Sequence, residues 1–228
     1  MSQRNAYKRI RLTLTALLLL VALVVGIVVS RQVFLVPDAA DAPPPPELSA
    51  INTYVYDEGR PLVDYTLTNE QGETVTNEAL KGRWTFAFIG YTYCPDVCPA
   101  TLAMLRQTGK AIPADLPEPS YLLISADPER DTPQRMEEYL DFFGEDFHGL
   151  TGDLETLREL AKSMNAVFAH REDGQGNTLV DHSAHLALLN PEGEMIAVIQ
   201  PPLKPDNVAK AFGKIYQWAK AKRDLDAS

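Results

Sequence analysis

"WTFAFIGYTYCPDVCPATL", Trp84 to Leu102, passes from an aromatic and β-branched run, through a pair of cysteines, into a proline-marked stretch of helical character. Trp84 to Tyr93 predicts a central strand. In "PATLAMLRQTGKAI", Leu102, Leu105 and later Ile112 fall on one helical stripe, with Pro99 tolerated near the helix start. The only two cysteines of the chain, Cys94 and Cys98, sit where strand gives way to helix.

Outward from that corner, strand and helix signals alternate. "LVDYTLTNEQGETVT" has two strand-like stretches around an Asn-Glu-Gln-Gly turn, the pattern of a hairpin. "SYLLISAD" is a second buried strand, and "DTPQRMEEYLDFFG" predicts a helix that starts at Asp-Thr-Pro and stops at Gly144. "DLETLRELAKSM" is amphipathic; "HLALLN", a Pro-Glu-Gly turn and "EMIAVIQ" form a last hairpin before the closing helix "PDNVAKAFGKIYQWAKA". The order predicts an α/β three-layer fold with a mixed central sheet. At 228 residues and 45% hydrophobic content, the chain holds one such domain plus accessory segments.

Those segments precede residue 50. Leu12 to Val29, "LTLTALLLLVALVVGIVV", is 18 residues without a charge. As a helix it measures about 27 Å, against a hydrocarbon core of ~30 Å. A single N-terminal transmembrane helix is therefore expected over 12–29. The rival, a cleaved signal peptide ending near "ADA" at Ala40 to Ala42, requires an apolar run shorter than this one and a cleavage site closer to it. Arg4, Lys8, Arg9 and Arg11 precede the span and only Arg31 closely follows, so the positive-inside bias puts residues 1–11 in the cytoplasm and the rest outside. Residues 30–49 include four consecutive prolines and read as a semi-rigid tether, with the folded domain over 50–228.

Without the four N-terminal cations, 17 Lys+Arg face 31 Asp+Glu, a formal −14. That balance excludes nucleic-acid binding, which needs clustered Lys and Arg.

A structural bridge, a redox disulfide and a metal site all use two cysteines. A bridge between residues four apart closes so small a loop that it constrains the unfolded chain little, even in the oxidising compartment expected here. At a helix N-terminus, by contrast, backbone N–H groups and the macrodipole favour thiolate, which is both nucleophile and metal ligand. An i, i+4 spacing on one helical turn brings both sulfurs to one face. Two thiolates suit Cu(I), Zn(II) or iron–sulfur chemistry, and a four-cysteine cluster is impossible here. A third ligand would come from His148, His170, His182 or His185. "EDFHGL" and "VFAHRED" are ordinary settings for a surface or turn histidine. "LVDHSAHLALL" differs, because Asp181 and His182 end the glycine-containing loop "REDGQGN" just before an apolar strand. The residues alone leave His182 and His185 both open. A peroxidase reading, with Thr92 or Thr101 and Arg130 polarising a peroxide, has no support in spacing.

"FIGYTYCPDVCPATL", "LLISADPERDTPQRM", "LTGDLETLRELAKSM" and "LVDHSAHLALLNPEGE" together resemble the Sco/SenC family of membrane-anchored copper proteins, in order and across about residues 50–220. The resemblance implies a thioredoxin-like fold holding one copper ion, Cu(I) or Cu(II), on Cys94, Cys98 and His182. It places Asp181 beside the imidazole in an orienting role. It further implies delivery of copper to the CuA-bearing subunit of cytochrome c oxidase, with a copper donor protein and a thiol reductant as further partners. The expected location is the bacterial inner membrane, with the domain facing the periplasm or cell exterior. The alternative is a thiol–disulfide oxidoreductase that reduces the acceptor cysteines of the oxidase without carrying metal. It needs the redox-active pair Cys94 and Cys98 but not His182. The chemistry of Asp127 to Thr132 stays open, a strand-to-helix turn with Thr132 capping and Pro133 first in the helix being sufficient.

Overall fold

A computed structural model of the protein describes residues 3–34, 43–172 and 178–226. Its helices are α1 (Gln3–Phe34), α2 (Val97–Ala111), α3 (Pro133–Leu140), α4 (Leu154–Ser163) and α5 (Pro205–Asp226). Its strands are β1 (Thr53–Pro61), β2 (Thr66–Asn69), β3 (Thr74–Thr76), β4 (Thr85–Gly90), β5 (Ser120–Ser125), β6 (Phe147–Thr151), β7 (Phe168–Glu172), β8 (Thr178–His182), β9 (Leu186–Leu189) and β10 (Glu194–Ile199).

Eight strands form one sheet in the order β1-β10-β9-β4-β5-β6-β2-β3, and β7 and β8 pair separately. The β4–β5 and β5–β6 pairs are parallel and the others antiparallel, so the sheet is mixed as expected. Every residue of β4 is buried, as its apolar run requires of a strand covered on both faces. Alternation then divides it. Ala87 and Ile89 face a core containing Leu157, Leu160 and Met164 of the α4 side, while Phe86 and Phe88 pack with Leu102 and Leu105 of α2 and Phe212 and Ile215 of α5. Helices on both faces give the three layers, within a unit spanning Pro44–Ala221.

The β2–β3 hairpin and the β9–β10 hairpin stand where their turns predict, with Gly72 and Gly193 at positive φ of 82° and 80°. Thr132 caps α3 by accepting from the Arg135 N–H, with Pro133 following. The helix ends at Leu140 rather than running to Gly144. Residues 141–144 turn there, which buries Phe143 and leaves Phe142 77% exposed.

Within α1, which lies in a separate unit, side chains are described from Arg11 to Ile27, all of them exposed. Among the described residues no helix is long and apolar enough to cross a membrane, so the span expected over 12–29 is not found there. The proposed cleavage site at Ala40 to Ala42 and most of the glycine-containing loop, 173–177, lie outside the described residues.

Candidate metal centre

The site forms where β4 ends. Tyr91 stays buried, Cys94 N–H closes a turn onto the Tyr91 carbonyl at 3.2 Å, and α2 begins at Val97. Cys94 therefore precedes the helix instead of sharing a helical turn with Cys98. Its sulfur still reaches the first turn, accepting the Cys98 N–H at 3.3 Å. A helix N-terminus leaves such donors without intrahelical partners, and here sulfur takes one of them. Pro99 supplies no N–H to the same turn.

Gly90, the last residue of β4, makes room for Cys98. A Cβ there would lie 2.9 Å from the Cys98 sulfur and 2.9 Å from Leu123 Cδ1. Both cysteines are free thiols, 8% and 1% exposed. Burial, reinforced by the neighbouring Cys94, pushes the Cys98 thiol well above its ordinary range.

His182 ends β8 and enters from the other side. Its Nδ1–H donates to the Ser183 carbonyl at 3.0 Å, which leaves the Nε2 lone pair 3.6 Å from the Cys98 sulfur. A protonated Cys98 thiol can donate to that nitrogen. Tyr91 packs edge-on to the imidazole with centroids 6.1 Å apart, and its hydroxyl meets the Val180 backbone.

Among the described residues, Cys94, Cys98 and His182 are the group of such side chains able to hold a metal ion, with ligand atoms all within 4.8 Å of one another. Three-fold coordination at bond lengths of about 2.0–2.3 Å separates ligand atoms by about 3.7 Å. The observed spacing thus suits one small ion, and two sulfurs with one imidazole suit a soft one.

Asp181 does not orient the imidazole. Neighbouring residues of a strand point to opposite faces, and its carboxylate pairs with Arg171 Nε at 2.8 Å on an exposed surface. The Ser183 carbonyl takes the role instead. The other histidines have their own partners: His185 Nε2 lies 3.1 Å from the Met164 carbonyl, His148 Nδ1 2.9 Å from Glu70, and His170 packs on Phe168.

Behind the cysteine loop, fully buried Asp131 accepts from Thr92 N–H at 3.0 Å, Thr92 hydroxyl at 2.7 Å and Ser125 hydroxyl at 2.6 Å. Burial raises its carboxyl above the usual range although these hydrogen bonds work the other way. Thr92 and Arg130 are thus committed to structure, and Thr101 Oγ1 donates to the Val97 carbonyl at 2.8 Å, so no peroxide-polarising set assembles among these residues. Tyr91, Asp131 and the Ser183 carbonyl escaped the sequence reading. The aspartates and prolines of "DPERDTP" marked a tight turn, but nothing in the sequence joined it to Thr92.

A thioredoxin-like α/β domain with two thiols and an imidazole converging at a strand-to-helix corner defines a class of small metal-binding proteins. A family model described as SCO1/SenC matches residues 57–217. The chain belongs to the SCO1/SenC family. It is 37% identical over 169 residues to a protein of Stutzerimonas stutzeri named for copper binding, covering 74% of this chain and 83% of that one. It is 34% identical over 143 residues to the human mitochondrial SCO1 homolog, covering 60% of this chain but 48% of that one. Among solved structures, Arabidopsis thaliana ScoI with copper bound superposes with a TM-score of 0.65 at 31% identity, covering 68% of this chain and 98% of that chain. Bradyrhizobium japonicum ScoI with copper bound gives 0.60 at 30%, covering 69% and 99%.

Proposed function

We propose that the protein is a membrane-anchored copper metallochaperone whose Cys94, Cys98 and His182 carry one copper ion to the CuA-bearing subunit of cytochrome c oxidase during its assembly. The observation that carries this reading is the convergence of the three donor side chains with the His182 Nε2 lone pair turned inward. The copper-bound state of the two ScoI structures supports the choice of ion. Both thiols must be reduced and give up their protons for the sulfurs to ligate, so a Cys94–Cys98 disulfide is the off state and a thiol reductant a necessary partner. Release proceeds by exchange, acceptor thiolates replacing the site's sulfurs one at a time.

The anchor reading rests on the uncharged stretch 12–29 and the helical course of α1. It is further supported by the large apolar side chains along residues 12–27, among them Leu12 at 74% and Leu18 at 68% exposed, an all-round apolar surface that lipid would cover. The four preceding cations then orient the domain towards the periplasm.

Mixing the reduced, copper-loaded full chain with a copper-free CuA domain tests delivery. Appearance of the CuA absorption with stoichiometric loss of copper from the donor is expected, and His182→Ala reduces it. Full activation of the acceptor by metal-free protein or by His182→Ala, with loss only in Cys94→Ser and Cys98→Ser, would instead establish the thiol–disulfide oxidoreductase.

A further inference from the structure

The metal ligands come from two segments that share no strand pairing. Cys94 and Cys98 flank the β4–α2 corner, while His182 ends the separate β7–β8 sheet. The distance of the imidazole from the sulfurs is therefore set by what docks the hairpin: the short link from His182 into β9, the burial of Phe168 and Val180 in the core, the Tyr91 hydroxyl at the Val180 backbone, and further side-chain contacts.

Arg130 makes such contacts in three directions. It forms an ion pair with the Asp127 carboxylate, whose side chain is 4% exposed. Its Nη2 donates to the carbonyl of Thr178, the first residue of β8, at 2.9 Å. Its guanidinium also lies 5.1 Å from the Tyr93 ring centre and 6.0 Å from that of Tyr91, on the loop that bears Cys94. A planar group with five fixed donors and a face for stacking can make all three contacts at once.

The base of this arm is itself fixed. Arg130 N–H and Asp131 N–H both donate to the Asp127 carbonyl, at 3.1 and 2.9 Å, and Asp131 is tied to Thr92 on the cysteine loop and Ser125 at the end of β5. The "DPERDT" turn is thus anchored to the sheet and extends one side chain to each ligand-bearing segment.

We propose that Arg130 is a positioning residue that sets the distance of the His182 imidazole from the two sulfurs and thereby governs how well the site holds Cu(II) relative to Cu(I). This rests on the copper-binding reading. Cu(I) is held adequately by two thiolates, whereas Cu(II) depends on the imidazole nitrogen. Loosening the hairpin removes the third ligand's preorganisation and leaves the two sulfurs as they are.

The test uses the full chain in detergent with Arg130→Met, which keeps the apolar stem, and Arg130→Lys, which keeps the charge. In the metal-free protein, amide exchange at Val180, which meets the Tyr91 hydroxyl, and at Ser183, whose N–H donates to the Val167 carbonyl, accelerates at least about tenfold in Arg130→Met while Leu123 in β5 keeps its protection. Cu(II) affinity falls about 10–100-fold with weakening of the sulfur-to-Cu(II) charge-transfer band, and Cu(I) affinity changes less than about threefold. Arg130→Lys keeps the Asp127 pair but cannot also reach Thr178, so it shows the same selective loss at smaller amplitude. If Arg130→Met does not fold, Arg130→Lys decides: wild-type exchange and Cu(II) affinity in that variant overturn the proposal. Equal losses of Cu(I) and Cu(II) also overturn it, since they report general destabilisation. Wild-type protein that binds neither copper ion would refute the copper reading, while the exchange measurement would still decide whether Arg130 holds the hairpin.

Discussion

Adding one methyl group at Gly90 tests how closely the fold is built around Cys98. The new carbon would sit 2.9 Å from the Cys98 sulfur, 2.9 Å from Leu123 Cδ1 and 3.1 Å from Phe88 Cε2. Comfortable contacts need about 3.5–4.0 Å, so a neighbour must move by roughly 0.6–1 Å. Phe88, Leu123 and Cys98 are 5%, 0% and 1% exposed, so none of them can relieve the contact by swinging into solvent. Overpacking of this kind costs about 1–3 kcal/mol. Displacement of the sulfur adds a loss in metal affinity, because a site misplaced by about 1 Å no longer meets its ligand geometry. Gly90→Ala should therefore lower the unfolding free energy of the metal-free protein by about 1–3 kcal/mol in denaturant titrations. It should also weaken Cu(I) binding in competition assays by about tenfold or more, some 1.4 kcal/mol. Stability within about 0.3 kcal/mol of wild type together with affinity within about twofold would refute the packing reasoning.

Two further outcomes follow from the same geometry. Burial keeps Cys98 protonated in the folded state above its ordinary 9.0, whereas the unfolded chain releases that proton near 9.0. The folded state then binds the extra proton, so metal-free stability is full below about pH 9 and falls as pH rises, by up to about 1.4 kcal/mol per unit for one thiol. The buried Tyr65 and Tyr121, both raised to about 12, steepen the fall only above their ordinary 10.0. Denaturant titrations between pH 9 and 10 should show the slope and Cys98→Ser should flatten it; an equal slope in the variant would contradict this. Asp181→Asn removes an exposed pair with Arg171 and should leave copper affinity within about twofold and stability within about 0.5 kcal/mol. A tenfold affinity loss would restore the aspartate to the site.

The elements legible in the sequence were those set by local rules. The unbroken apolar run of β4, the glycine turns of the two hairpins and the Thr132–Pro133 start of α3 each depend on neighbours a few residues away. The cysteine pair and its strand-to-helix corner were legible too. What stayed hidden depends on contacts remote in the chain. Thr92 meets Asp131 39 residues later, and Arg130 meets Thr178 48 residues later. The spacing of Cys94 and Cys98 suggested one helical turn, but the chain starts α2 after Cys94 and still brings the sulfur to its first turn. The residue next to His182 looked like its orienting acid, yet strand alternation turns Asp181 outward and a main-chain carbonyl, invisible in any residue pattern, holds the ring. The pairing of β7 with β8 was likewise missed, because "FAHRE" and "TLVDH" carry no clean alternation and lie on either side of a polar, glycine-containing loop.

The most direct measurement is an anaerobic titration of the reduced full chain with Cu(I) and then Cu(II), run beside Cys94→Ser and His182→Ala. One ion per chain, with tight binding lost in Cys94→Ser and weakened in His182→Ala, is the expected result. Absence of copper binding in the wild type, with a reversibly titrating Cys94–Cys98 disulfide, would contradict the three-ligand copper site and leave the thiol chemistry as the protein's activity.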